Sequence, residues 1–477
     1  MKHIINWLIY STLCILMVAC KSNSSKQDFS TSALKTESQN SKNLKYNILM
    51  IAVDDLNDWT GFMGGHPQTL TPNMDKLAKE SMVFDLAYCA ASVCNPSRAA
   101  IMSGYKPSTT GIFQNGDKVF DVPLINNSLM LPQYLSKYGY HTLSRGKIYH
   151  TPATGKHTWD EWSPVSGNYG ATQSKKGLLD NGIPRGEMSD NMDWAPTTGK
   201  TEETPDYLNA QWAAEQLQEG FDKPFFMAVG IFRPHLEWKV PKEFYDKFPV
   251  ENMILPEVLE SDLDDTRENF SPTKEYTAIE KYSKQKEAVQ AYLASINYAD
   301  YCVGVILDAL AKSKYADNTI VVLWGDHGWH LGEKLRYKKF TLWEEACRVP
   351  FIFKVPGMIK PESRSNRPIN LLDLYPTLLE LTGLPENQKN EGNSFVPLLI
   401  NPELKWDRAS LTQMGEGRNT IRTEKYRYIK YEDGSEELYD HEVDPLEWHN
   451  EINNPVYKNV RTDLRNKLSE LTRKNNS

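Results

Sequence analysis

Cys94-Asn95-Pro96-Ser97-Arg98, followed by Ala99-Ala100-Ile101-Met102-Ser103-Gly104, is the stretch of this sequence best suited to covalent chemistry. Pro96 fits the first position of a helix, where its missing N–H is no loss, and Asn95 fits the cap. Cys94 then lies at the mouth of a helix N-terminus, where free amides and the dipole favour an anion. A positive first turn opposes the dipole, so Arg98 is expected to serve a bound anion rather than the helix. A cysteine before a helix is by itself usually a small buried hydrophobe. Here it has reactive company in Asp54-Asp55, Gly146-Lys147-Ile148-Tyr149-His150, Arg233-Pro234-His235, Asp326-His327-Gly328 and Lys338-Lys339. Two adjacent carboxylates repel one another and need a cation or solvent. Asp54, Asp55 and Asp326 offer hard oxygens, which suit Ca²⁺ or Mg²⁺ better than Zn²⁺.

Most of these groups follow an element that would place them. Residues 47–53 and 225–230 are almost continuously apolar, as strands buried on both faces are. Further strands are expected at 140–144, 319–324 and 351–355. Asp54-Asp55, Lys147 with His150, His235, and Asp326-His327 each come just after one of them. Helices are expected at 71–78, at 131–138 with Gly139 as the stop, at 285–312 and from 370. The long one keeps helical spacing through Val289, Leu293, Ile296, Val303, Ile306 and Leu310. Alternating strands and helices predict an α/β fold with a large doubly wound, mainly parallel sheet. Such sheets bind ligands beyond the carboxyl ends of their strands. With those strands parallel, all four groups gather along one edge beside Cys94. After about residue 385 the texture changes: 426–431 and Asp433-Gly434 signal a hairpin, and a last helix is expected at 456–471. This predicts a smaller C-terminal domain of antiparallel sheet plus helix.

The C-x-P-S-R string resembles the signature of the type I sulfatases, a branch of the alkaline-phosphatase superfamily. The resemblance runs from about Tyr46 to the C-terminal tail. It includes Thr71-Pro72-Asn73, Asp326-His327-Gly328, Asn370 to Thr377, Glu437-Leu438-Tyr439-Asp440 and Asp444-Pro445. Gly-Lys-x-x-His at 146–150 is similar to the iduronate-2-sulfatase branch. The resemblance implies an alkaline-phosphatase-like fold. It also implies that a formylglycine-generating maturation enzyme converts Cys94 to 3-oxoalanine (formylglycine), whose hydrated aldehyde is the nucleophile. One Ca²⁺ would be held by Asp54, Asp55, Asp326, His327 and residue 94. Arg98 would hold the nucleophile, and Lys147 and Lys339, preferred to Lys338, would neutralise the sulfate oxygens. His235 is the implied general acid, since a sugar alkoxide leaves poorly without a proton. His150 is the implied base that releases sulfate. His327 stands where many sulfatases carry Asn or Gln, Gly325 where Ser is frequent, Lys334 where His is common, and Ser103-Gly104 replaces Thr-Gly. None of these departures removes a catalytic group.

The expected activity is therefore sulfuric ester hydrolysis on a sulfated sugar of a polysaccharide or its oligosaccharides, such as a glycosaminoglycan or ulvan. The rivals are a phosphomonoesterase or phosphonate hydrolase on the same scaffold, and an inactive glycan-binding relative. Residues 151–205 lose apolar periodicity and read as a functional loop, whose Trp159, Trp162, Tyr169 and Trp194 suit either packing or stacking on sugar. A net charge of −8 excludes a nucleic-acid binder and leaves anion capture to a local basic pocket. The run from Ile4 to Val18 is too short to span a bilayer comfortably and reads as a signal peptide, 1–19. Leu16-Met17-Val18-Ala19-Cys20 resembles a bacterial lipobox, with lipid on Cys20. The implied location is an outer-membrane lipoprotein facing periplasm or cell surface, tethered by the polar residues 20–44. The catalytic domain is expected at 45–385 and the C-terminal domain at 386–477. Cys89, Cys302 and Cys347 show no C-x-x-C spacing and are expected to be buried thiols.

Overall fold

A computed structural model of the chain describes residues 46–473, apart from 174, 268 and 269. The signal, lipobox and tether lie outside the described residues. Eight strands build the large sheet: β1 Asn47–Val53, β2 Met82–Phe84, β3 His141–Arg145, β4 Glu161–Ser163, β5 Phe225–Ile231, β6 Thr319–Gly325, β7 Phe351–Lys354 and β8 Ser363–Ser365. Their spatial order is β8-β2-β7-β6-β1-β5-β3-β4. β1 is central and pairs in parallel with β5 and β6, with Val53 opposite both Ile231 and Gly325. β3 continues the parallel set beyond β5, whereas β7 runs antiparallel between β6 and β2.

All seven β1 side chains are buried, and alternation divides the six apolar ones between two cores. Leu49, Ile51 and Val53 pack with Val289, Leu293 and Ile296 on one face of the sheet. Ile48, Met50 and Ala52 pack with Ile101, Met102 and Leu378 on the other. Each such Leu or Ile contributes about 1.5–3 kcal/mol by leaving water. The helices that matter to the site are α1 Pro72–Lys79, α2 Cys94–Ser103, α3 Pro205–Glu219, α4 Gln285–Lys312 and α5 Lys458–Thr472. α4 has the bounds expected from its periodicity and packs against α1 and α3. One expectation is corrected at α2. The helix begins at Cys94 with Val93 as its extended N-cap, so Asn95 is not the cap and Pro96 is not the first helical residue. Asn95 is instead engaged by the 114–117 loop, donating to the carbonyls of Gln114 and Asp117 and accepting no cap bond.

The C-terminal sheet is antiparallel, β9 Ser410–Gln413, β10 Asn419–Arg422, β11 Tyr426–Lys430 and β12 Glu436–Asp440 in that order, with α5 against it. Its β9 edge is stitched to the chain that leads into Cys94. Gln413 N–H donates to the Ala90 carbonyl, Thr412 Oγ1 to the Cys89 carbonyl, and Asn370 Nδ2 reaches Ser410 and Leu411. Behind this seam the buried Arg427 guanidinium pairs with Glu344 and Glu447, and His441 Nε2 lies 2.8 Å from Glu447 Oε1. Glu344, His441 and Glu447 have the donor types of a metal site, but Arg427 already supplies their countercharge.

Glu447→Gln is expected to lower the unfolding free energy by about 3 kcal/mol at neutral pH, by leaving Arg427 short of a partner. Burial alone would raise the Glu447 carboxyl, but Arg427 and His441 hold it well below the usual carboxylate range. Its stabilisation is thus complete above about pH 5, declines below the ordinary glutamate value, and is gone once pH falls through the depressed native value. Denaturant titrations of the two proteins should differ at pH 7 and converge in strong acid.

Candidate active site

The parallel strands β1, β5, β3 and β6 deliver their trailing residues to one edge of the sheet. Asp54-Asp55 follows β1, Lys147 and His150 follow β3, His235 follows β5, and Asp326-His327 follows β6. Crossing of the β3 loop over β5 requires glycine at two places. A Cβ on Gly146 (φ +83°) would sit 2.0 Å from the Gly230 carbonyl oxygen, and one on Gly230 would sit 2.2 Å from the Lys147 nitrogen. The chain therefore brings Lys147 directly beside β1.

Cys94 Sγ lies 3.1 Å from His327 Nε2, 3.3 Å from Lys339 Nζ and 3.8 Å from Asp55 Oδ1. His150 also lies against it, with a buried Nδ1 that has no partner among the described residues. Lys339 Nζ bonds Asp55 Oδ1 at 2.6 Å, and the Lys147 ammonium pairs with Asp54 Oδ2. Arg98 is fully buried and bridges two carboxylates, with Nη2 2.9 Å from Asp54 Oδ1 and Nε 2.8 Å from Asp326 Oδ2. It also donates to the carbonyls of Lys147 and Ile148. Arg98 thus organises the acidic groups and the β3 loop, where the sequence predicts service to a bound anion. His235 is half-buried, its Nε2 3.8 Å from Asp55 Oδ2 and its Nδ1 donating to the Leu236 carbonyl.

Lys338 and Lys339 are separated by the fold. Lys338 pairs with Glu275 at 3.0 Å, away from Cys94, while Lys339 enters the cluster. Lys334 is buried on Asp262 at 2.7 Å. Of the loop aromatics, Trp159 packs on Phe226 and Trp194 on Trp238 inside the core. Tyr169 donates to Asp206, and Trp162 Nε1 is tied to the Pro152 carbonyl. Cys89, Cys302 and Cys347 are free and buried.

Three supporting groups have roles that the sequence does not assign. Tyr292 of α4 donates to the Asp55 carbonyl at 2.8 Å and accepts from Asn57 N–H at 3.0 Å. It braces Asp55, whose φ of +59° is strained for a non-glycine residue. Ser97 Oγ donates to the Asp326 carbonyl at 2.7 Å. Arg233, stacked 3.9 Å from the Tyr169 ring centre, donates to the His235 and Lys239 carbonyls and so fixes the loop bearing His235. Only their three-dimensional neighbours reveal these roles.

Charge is balanced inside the cluster. Burial would raise the Cys94 thiol, but Lys339, Lys147 and His327 hold it well below an ordinary thiol. Burial would also raise Asp54, yet Lys147, His235 and Arg98 hold it low, whereas at Asp326 burial prevails and the carboxyl is raised. Burial works against a charged His327, but Asp326 and Cys94 outweigh it and raise the ring to about 9. Donor atoms of Asp54, Cys94 and Asp326 lie within 4.8 Å of one another, as do those of Asp55, Cys94 and His327 and those of Asp54, Asp55 and His235. Asp55 Oδ2 is buried without a hydrogen-bond partner. An orphaned carboxylate oxygen among hard oxygen donors fits a divalent cation of the Ca²⁺ or Mg²⁺ type.

Comparison with known proteins agrees with this geometry. Residues 46–384 match the family described as Sulfatase, and residues 325–474 match the C-terminal domain of N-sulphoglucosamine sulphohydrolase. A sulfatase of Formosa agariphila is 36% identical over 461 residues, covering 94% of this chain and 88% of that protein. Human iduronate 2-sulfatase is 31% identical over 404 residues, covering 74% of this chain and 72% of that protein. A protein solved with its substrate D-glucosamine-2-N,6-O-disulfate has the same fold, with a TM-score of 0.71 at 22% identity, over 91% of this chain and 99% of that one. With a buried cysteine and its cations set on the edge of such a sheet, and with the family matched over most of its length, this chain belongs to the sulfatases, hydrolases of sulfuric esters.

Proposed function

We propose that this sulfatase removes sulfate from a sulfated sugar of a polysaccharide or its oligosaccharides, using formylglycine made from Cys94 and one Ca²⁺. The observation that carries this reading is the meeting of Cys94 Sγ with Lys339, His327 and Asp55 within 4 Å. The sugar class is supported by the names of the relatives, an iduronate 2-sulfatase among them, and by the glucosamine disulfate bound to a protein of like fold. Asp54, Asp55, Asp326 and His327 would hold the cation, which would supply positive charge to the nucleophile and to a sulfate oxygen. Formylglycine would supply the attacking hydroxyl.

The chain's own groups do the rest. Arg98 fixes Asp54 and Asp326 in place. Lys147 and Lys339 bring positive charge to the sulfate oxygens, where it is worth most in a dry site. His235, half-buried and held through Nδ1, keeps Nε2 available to protonate the departing sugar oxygen. His150, beside residue 94, takes the proton when sulfate is released. Export with a lipid on Cys20, a 45–385 catalytic domain with a 386–477 C-terminal domain, and a formylglycine-generating maturation enzyme belong to the same proposal.

The test is sulfate release from a panel of defined sulfated oligosaccharides, before and after chelation. Removal of the cation is expected to lower the rate by about a hundredfold or more, with recovery on adding Ca²⁺. Phosphate release from monoesters, with no sulfated sugar consumed, would overturn the proposal.

A further inference from the structure

Two left-handed residues flank Lys339, namely Lys338 at φ +76° and Phe340 at φ +74°. A bulky side chain in that region is a genuine outlier, and such strain collects where a ligand is clamped. Here the double kink sends Lys339 inward to Cys94 and leaves the Phe340 ring outside. Phe340 is 44% exposed, and the other exposed large aromatic among the described residues, Tyr301, is stacked on Tyr207 instead. The Phe340 ring centre lies 5.8 Å from Lys339 Nζ, which is itself 3.3 Å from Cys94 Sγ. The loop cannot relax easily. Phe340 N–H reaches the Ser92 carbonyl at 3.4 Å, the Thr341 carbonyl accepts from Ser92 Oγ at 2.6 Å, and Thr341 Oγ1 is 2.8 Å from His330 Nε2. The backbone that carries the ring is thus pinned between the segment entering Cys94 and the segment leaving Asp326.

Resting on the proposed sugar-sulfatase reading, we propose that Phe340 is a specificity-determining residue that receives the C–H face of the sulfated pyranose. An aromatic face is electron-rich and attracts the polarised C–H groups of a sugar ring, as it attracts the Lys339 ammonium. A sulfate held at residue 94 by Lys339 places its own sugar within a ring's width of Phe340. Of the four loop aromatics that suit this task, Trp159 and Trp194 are in the core, while Trp162 is tied to Pro152 and Tyr169 to Asp206. A free Phe ring in strained backbone gains no core packing, and its place beside Lys339 points to a ligand.

Three variants test this, each assayed on a sulfated disaccharide that wild type cleaves and with inorganic sulfate as inhibitor. Phe340→Ala is expected to lose about tenfold in kcat/KM, mostly through KM, with the inhibition constant for sulfate unchanged because sulfate occupies only the Cys94 centre. Phe340→Tyr should restore kcat/KM. Phe340→Gly, which relieves the left-handed strain, should lose activity like the alanine variant while melting no lower than wild type. An alanine variant within twofold of wild type, or an equal change in sulfate inhibition, would overturn the role of Phe340 alone. A wild-type enzyme idle on every sulfated sugar would overturn the underlying reading, and this inference with it.

Discussion

Cys94→Ala is expected to lower sulfate release by about four orders of magnitude or more, while the protein still folds. Loss of a nucleophile leaves only binding and preorganised electrostatics, and comparable deletions in hydrolases cost rates of this order. Folding should survive because the change removes one sulfur whose hydrogen bonds, among the described residues, are all to side chains. α2 keeps its Gly104 stop, whose N–H donates to the Ala100 carbonyl, and Ser97 keeps its bond to Asp326. Far-ultraviolet circular dichroism and a cooperative melt check the fold, and released sulfate checks the rate. The accompanying signature is chemical. In protein from its native host, the peptide spanning Cys94 should lose one sulfur and two hydrogens and gain one oxygen, as thiol becomes aldehyde. An unmodified thiol in fully active enzyme, or an alanine variant of undiminished activity, would remove the basis for residue 94 as nucleophile.

Lys339→Ala and Lys338→Ala are expected to part company by about two to three orders of magnitude in kcat. Lys339 is buried between Asp55 Oδ1 and Cys94 Sγ. A donor aimed at developing charge in a water-excluded site is worth about 3–4 kcal/mol. Deleting it also removes the cationic side chain nearest Asp55, 2.6 Å away against 3.3 Å for His327, so some loss of stability accompanies the loss of rate. Lys338 touches Glu275 and Asn191, and Glu275 keeps a second partner in Ser189. Its removal should leave activity within about twofold and stability within about 1 kcal/mol. Steady-state kinetics on one sulfated substrate distinguish the two. Equal losses would mean that the site depends on the charge of the dipeptide as a whole, and not on the ammonium facing Cys94.

The C-terminal sheet bears on both results. Its β9 edge holds Cys89 and Ala90, and Arg427, Glu344 and Glu447 lock the turn that follows Lys339. Arg427 donates to the Leu342 carbonyl at 3.1 Å, three residues past Lys339. Loosening that network is therefore a route from a distant substitution to the position of the lysine.

Period and composition determined the frame of this protein. The continuous apolar runs of β1 and β5, the spacing along α4 and the Asp433-Gly434 hairpin each depend on contacts a few residues apart, so local sequence encodes them. Because polar groups follow strands that turn out parallel, the meeting of Asp54-Asp55, Lys147, His235 and Asp326-His327 was legible too. What tertiary structure alone decided are the choices between neighbours of like chemistry. Lys339 rather than Lys338 enters the site because two left-handed residues kink the chain, and Arg98 turns to Asp54 and Asp326 because both carboxylates flank it. Tyr292 and Arg233 act through backbone carbonyls on other elements, and Trp159 and Trp194 of the loop are drawn into the core. Each of these outcomes depends on partners far away in sequence, and no periodicity in the chain records which of them will arrive.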